Sequence, residues 1–170
     1  MQMVKKFLLI VFVLYFSLLV FMPKEELYYT LEEALAKQDI KINEKSIEEG
    51  MFSLRVKEAD IYIKGIQLAK VEKLEFFTLL FYTRVKIQKL RLDDSLKAMA
   101  PTSLETVTFS HLLWSPTELE VKVKASFEAN GTVDLNERSI YLDVNGSKDL
   151  EQFQKSLRKS EKGWVYETSF

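Results

Sequence analysis

Two kinds of apolar pattern divide this chain. Residues 7–22, FLLIVFVLYFSLLVFM, form a run without charge in which only Tyr15 and Ser17 carry polar side-chain atoms. From Gly50 onward apolar residues instead recur at every second position, the period of a strand with one buried and one solvated face. Phe52, Leu54 and Val56 alternate with Ser53, Arg55 and Lys57, and Ile61 and Ile63 follow. After Gly65 the pattern resumes with Ile66, Leu68, Val71, Leu74 and Phe76, and residues 85–92 keep it until Lys89 interrupts the register. Leu119, Val121, Val123, Ala125 and Phe127 alternate with mostly charged neighbours, and Asn130-Gly131 offers turn chemistry. Val133, Leu135, Ile140, Leu142 and Val144 predict a hairpin turning at residues 136–138. Short strands are also expected at Ile40–Ile42 and at Trp164–Glu167.

Three short helices are predicted around these strands. Thr30-Leu31-Glu32-Glu33 fits a capping box and starts a helix over 31–38. Residues 76–82, FFTLLFY, are too uniformly apolar for a half-solvated strand and suit a short buried helix or an apolar crossover. Leu150, Phe153 and Leu157 lie at helical spacing within 148–159. The predicted fold is mainly β: one N-terminal transmembrane helix, then a single antiparallel β-sheet domain with about three short helices. No internal repeat is predicted.

The run at 7–22, led by Phe7, Leu8, Leu9, Ile10, Val11, Phe12, Val13 and Leu14, suits a membrane anchor. A bilayer core asks for about 20 apolar residues, so the run is slightly short and a cleaved signal is the competing reading. Signal peptidase needs small residues at its site, whereas this run ends Leu18-Leu19-Val20-Phe21-Met22. Retention as an anchor is therefore the stronger expectation. Lys5 and Lys6 favour a cytoplasmic stub at 1–6, with residues 23–170 exported to the periplasm from the inner membrane. Tyr28 and Tyr29 would then sit near the outer headgroups.

Composition removes whole classes of chemistry. With no cysteine and one histidine, the chain carries no disulfide, thiolate site or multi-histidine zinc site. Basic residues number 24 and acidic ones 25, so there is no basic excess to hold a nucleic acid. His111 follows Ser110 directly, and neighbours on a strand point to opposite faces, so the two cannot form a nucleophile–base pair. Asp93-Asp94 and Glu48-Glu49 read as turn or solvated-face residues rather than as carboxylates across a cleft. No catalytic, cofactor-binding or metal-binding residue is expected, and no enzymatic activity. Phe76, Phe77, Phe81, Tyr82 and Trp114 remain as residues that either fill a core or contact a partner or lipid. The terminal run Trp164–Phe170 has the aromatic spacing of a barrel's last strand, but the charged faces elsewhere oppose a barrel.

The stretch from Gly50 to Leu92 resembles the opening unit of AsmA-like periplasmic proteins and of type II secretion system protein N. The resemblance lies in Gly50, Gly65, Leu74, Leu79-Leu80 and the strand Val85–Leu92, with a second mark in Gly131-Thr132-Val133-Asp134-Leu135. It implies a small apolar helix at Leu79-Leu80 and a bitopic inner-membrane component of a cell-envelope machine, a non-enzymatic scaffold in type II secretion. The alternative it implies is an AsmA-like or LptC-like lipid-handling module. Expected partners are the bilayer, other subunits of the envelope complex, and lipid.

An arginine at the centre of an inserted helix costs about 2.5–3.5 kcal/mol. Val13→Arg should therefore reduce membrane insertion markedly, and Ser17→Leu should preserve it. A reporter fused after Phe170 and active only outside the cytoplasm, with N-terminal sequencing of the purified protein, reads both insertion and retention.

Overall fold

The computed structural model describes residues 2–79, 81–96, 101–145, 157–160 and 163–169. Helix α1 (Gln2–Phe21) takes up the charge-free run together with the residues before it, so Lys5 and Lys6 are helical. Twenty residues at 1.5 Å each span about 30 Å, the thickness of a bilayer's hydrocarbon core. Mean hydropathy reaches 2.3 within it, so the helix is long and apolar enough to cross a membrane. Leu19 is its one buried residue. A helix apolar on every side and exposed has the character of a membrane span or of a signal sequence.

Pro23 breaks the chain, and α2 (Lys24–Ala36) follows at once with Glu25 and Glu26 in its first turn, where the helix dipole favours acids. The expected start at Thr30 is corrected here. Thr30 lies inside α2, its hydroxyl donating back to the Glu26 carbonyl oxygen at 2.9 Å, so the capping-box spacing is incidental.

Ten strands then form one antiparallel sheet: β1 (Ile40–Glu49), β2 (Ser53–Ile63), β3 (Ile66–Leu79), β4 (Tyr82–Leu92), β5 (Ser103–Leu112), β6 (Glu118–Lys124), β7 (Glu128–Asp134), β8 (Ser139–Asn145), β9 (Arg158–Ser160) and β10 (Gly163–Ser169). Their order in the sheet is the order in the chain, except that β10 lies between β8 and β9. Each strand from β1 to β7 thus pairs with its successor, β8 pairs with β10, and the hairpin turns alternate between two ends of the sheet.

Several expectations change. Residues 76–82 form neither a helix nor a crossover: Phe76 to Leu79 close β3, and Tyr82 opens β4. The small apolar helix implied at Leu79-Leu80 is absent there, since Leu79 is paired with Tyr82; Leu80 itself lies outside the described residues. Both faces of this strand end carry apolar side chains, which hides its period of two. Asn130-Gly131 lies inside β7, and the turn falls earlier, at residues 125–127, where the Ala125 amide donates to the Phe127 carbonyl. Most of the helix expected at 148–159 lies outside the described residues, and its end, Arg158–Ser160, is a strand. Among the described residues α2 is thus the only short α-helix, joined by a 3-10 turn at Asp94–Leu96, against the expected three.

The cross-strand register builds a continuous apolar row. Ile47 lies opposite Val56, and the row continues through Leu74, Ile87, Val107, Val123, Ala129 and Val144 to Trp164. Val56, Val107, Ala129 and Val144 in it are buried. The neighbouring row carries Leu54, Phe76, Val85, Phe109, Val121, Gly131 and Leu142. The opposite face is polar, with Lys57, Lys73 and Gln88 in one transverse line.

Across β1 to β5 a second transverse line breaks the alternation. Lys45, Glu58, Glu72, Lys89 and Glu105 share one level and drop out of the pairing, while the register on either side is unchanged. Glu58 and Lys89 take left-handed backbone angles, with φ of 50° and 51°. Each strand thus spends one extra residue at the same level, and apolar residues recur three apart across it: Val56 and Ala59, Val71 and Leu74, Ile87 and Leu90. All six pack into one core cluster. The interruption at Lys89 is one member of this line. Lys45 pairs with Glu58 and Lys89 with Glu72, both at 2.8 Å, on the solvated side.

Gly131 has a steric role. A Cβ on it would lie 1.8 Å from the Tyr141 carbonyl oxygen, so β7 and β8 approach each other as only glycine permits. Gly131→Ala should force the strands apart and cost about 1–3 kcal/mol, the usual range for overpacking. Urea denaturation of the detergent-solubilised chain measures it, with Thr132→Ala on the same strand as the neutral comparison.

Candidate functional site: the apolar sheet face and its cavity

Alternation along each strand, not any motif, creates the site. Outside the transverse line it sends every second side chain of β2 to β8 to one face, and α2 packs over the β1–β3 end of that face. Tyr28 is the anchor of that packing. It is 4% exposed, sits in the cluster with Leu54, Val56, Ala59 and Val71, and lies edge-on to the Phe76 ring at 6.4 Å. The headgroup position expected for Tyr28 is therefore corrected: it belongs to the core, while Tyr29 beside it is exposed.

Polar groups at this junction are placed against one another. The Tyr28 hydroxyl lies toward Glu44 without closing a well-aligned hydrogen bond. Burial first, then the charges of Glu44 and Glu32, hold it well above the ordinary tyrosine range. Burial and Glu44 likewise raise the Glu32 carboxyl. On the solvated side, Lys57 holds the Glu48 carboxyl below its usual range through an ion pair.

Between the end of α1, α2 and strands β2 and β3 lies a cavity of about 200 Å³. Leu19, Leu27, Leu31, Phe52, Leu54 and Phe76 line it, with Lys24 among them as a cation. Lys24 reaches Glu49 at 3.4 Å. The cavity therefore opens beside the apolar helix and continues onto the apolar sheet face through Leu54 and Phe76. Beyond α2, Val85, Ile87, Phe109 and Leu142 on this face are half-buried.

The five aromatic candidates do not form one cluster. Phe76 lies on the apolar face beneath α2. Phe77 and Tyr82 occupy the other face, where Arg84 stacks over the Phe77 ring at 5.4 Å and the Tyr82 hydroxyl meets the Ser110 hydroxyl at 3.3 Å. Phe81 and Trp114 sit at hairpin tips, exposed and in ring contact at 5.1 Å. Their scattering follows from strand geometry, because Phe76 and Phe77 point to opposite sides.

His111 lies 3.3 Å from the Pro116 carbonyl oxygen, to which its Nε2–H donates across the β5–β6 turn. Asp93 accepts from the Ser95 amide at 2.9 Å and starts the 3-10 turn. Glu48 and Glu49 engage Lys57 and Lys24 separately. None of these residues lines the cavity, and no group of three or more metal-ligating side chains occurs among the described residues. Sequence reasoning misplaced Tyr28 and passed over Leu27 on α2, which the shifted helix start concealed, and Met51 and Leu113 at hairpin tips.

The chain matches no protein-family model, no curated protein and no solved structure.

Two substitutions test the junction. Tyr28→Ala should cost about 3–5 kcal/mol, as for a large buried aromatic, and release α2 from the sheet. Glu32→Gln should stabilise the fold at neutral pH. The raised carboxyl of Glu32 means that the folded state holds its proton more tightly than the unfolded chain. The native penalty is present above the carboxylate range and fades as pH falls through it. The melting temperature of the glutamine variant should exceed that of the native chain at neutral pH, and the two should converge at acid pH.

Proposed function

We propose that this chain is a non-enzymatic, membrane-anchored component of the cell envelope whose exported sheet shields lipid acyl chains along its apolar face, as an AsmA-like or LptC-like module would. The observation that supports it is the half-buried apolar row through Phe76, Val85, Phe109 and Leu142, which begins at Leu54 and Phe76 in the lining of the apolar cavity beside α1. An acyl chain needs a long dry surface without internal polar demands, and a cross-strand row supplies one perpendicular to the strands. Lys24 at the cavity stands where a lipid's anionic headgroup would meet a cation once the acyl chain lies along Leu54 and Phe76. In this reading α1 stays joined to the domain in the inner membrane, with residues 23–170 periplasmic, and holds the face close to its lipid supply.

A second reading, a type II secretion protein N-like scaffold, draws on a different feature. Among the described residues the sheet is open rather than closed, with β1 and β9 at its edges, and a strand of another envelope subunit could add to such an edge.

Native mass spectrometry of the full chain, extracted from membranes in mild detergent, separates the two. Bound phospholipid is expected, with occupancy lost on Phe109→Glu, a half-buried position in the row beside the central one; circular dichroism checks that this variant remains a sheet. A lipid-free spectrum accompanied by other envelope subunits would replace the lipid reading with the scaffold.

A further inference from the structure

The alternation of hairpins places the β1–β2, β3–β4 and β5–β6 turns at one end of the sheet. In sequence these tips are Gly50-Met51-Phe52, Leu79-Leu80-Phe81-Tyr82 and Leu112-Leu113-Trp114-Ser115-Pro116-Thr117, and none contains a charge. At the other end two of the three turns carry charge, Lys64-Gly65 and the segment beginning Asp93-Asp94, while Ala125-Ser126-Phe127 is uncharged and Ile66 is, among the described residues, the one strongly exposed large apolar residue beside them. Met51, Phe81, Leu113 and Trp114 are all exposed, Trp114 at 68% and Met51 at 61%. Exposed large apolar groups collected at one end of a domain mark a contact surface.

Contacts with α1 identify the surface they meet. The Phe52 ring packs edge-on against Phe16 of α1 at 5.4 Å. Phe16 lies five residues before the end of that helix, about 7.5 Å back along its axis at 1.5 Å per residue. At the base of the same hairpin, Glu49 meets Lys24 at the α1–α2 junction, where both the amide and the ammonium of Lys24 approach its carboxylate. A charged pair thus marks the level at which the chain leaves α1, and the uncharged tip beyond it reaches back along the apolar helix. If α1 crosses a bilayer, that tip stands below the surface of the same bilayer. The β3–β4 and β5–β6 tips share its end of the sheet, and Trp114 over Phe81 supplies the ring type that settles at headgroup level. The next tip at that end, Leu135-Asn136-Glu137-Arg138, is charged, so the apolar edge stops at β6.

We infer that the three uncharged hairpin tips of β1 to β6 insert into the headgroup–acyl boundary of the bilayer that α1 crosses. The sheet then stands on the membrane by its edge, and the cavity between α1 and Phe52 opens at acyl-chain depth. The inference rests on α1 being a retained anchor.

The chain's two tryptophans make the test direct. With Trp164→Phe, Trp114 is the sole emitter. The full chain is reconstituted into phosphatidylethanolamine–phosphatidylglycerol vesicles containing phosphatidylcholine brominated on its acyl chains, and flotation is scored alongside fluorescence. Trp114 should lose most of its emission relative to vesicles without bromine, and Phe81→Ser with Leu113→Ser should restore much of it. A tryptophan at the opposite end, Ile66→Trp with Trp114→Phe and Trp164→Phe, should keep its emission. A chain that floats with Trp114 unquenched, or with both ends quenched alike, overturns the inference and leaves the anchor standing. A chain that does not float overturns both.

Discussion

An antiparallel meander can keep one face apolar across all its strands only if every strand enters the sheet in the same phase. A slip of one residue in any strand would turn its valines and leucines to solvent and bring lysines and glutamates inward. The row from Ile47 to Trp164 is the result of that constraint holding from β1 to β10. It is strictest at the transverse line through Lys45, Glu58, Glu72, Lys89 and Glu105, where five neighbouring strands each insert one residue at one level. An insertion in one strand alone would make a bulge and reverse the faces beyond it. Because all five insert together, the register is restored on the far side and Ala59, Val71 and Leu90 rejoin the same core. The left-handed backbones at Glu58 and Lys89 are carried by this shared geometry, since non-glycine residues adopt such angles only where their surroundings hold them. The ion pairs along the line are exposed and contribute little stability. Their value lies in keeping the extra residue of each of these strands on the wet side.

Much of this was legible in the sequence. Alternation alone gave the strands around Leu54, Val56, Val121 and Val144, and the turn at 136–138, because polar and apolar residues there differ strongly from one position to the next. Lys89 showed as a break in phase. What one strand could not show is that Glu58 and Glu72 break phase at the same level, since register is a relation between strands. The end of β3 was misread because Phe76 and Phe77 are both aromatic: one packs under Tyr28, the other lies beneath Arg84, and a strand with two apolar faces has no visible period. The start of α2 was misplaced by four residues of good capping chemistry, while the actual break is Pro23, close against the preceding helix. Gly131 looked like a turn residue because Asn-Gly usually is one. Here the missing side chain serves the close approach of two strands.

The candidate site was less legible than the fold. Its residues share no motif, and they lie far apart in the chain: Leu19 in α1, Tyr28 in α2, Leu54 and Phe76 in the sheet. Only the short link at Met22-Pro23 brings the end of the apolar helix against the first hairpin, and with it the cavity. The same link sets the level of Lys24 and Glu49. Apolar helix, cavity and sheet face are therefore one arrangement, and the lipid-handling role proposed for it follows from their continuity more than from any single side chain.

The phase of β5 through the transverse line tests this account most directly. The chain contains no cysteine, so each position from Leu104 to Phe109 can be replaced singly by cysteine in the full chain and exposed to a water-soluble maleimide. Rapid labelling is expected at Glu105, Thr106 and Thr108, with Leu104, Val107 and Phe109 protected, the two adjacent reactive positions marking the extra residue. Labelling that alternates straight through Glu105, Val107 and Phe109 would put the row on the solvated side and contradict the account.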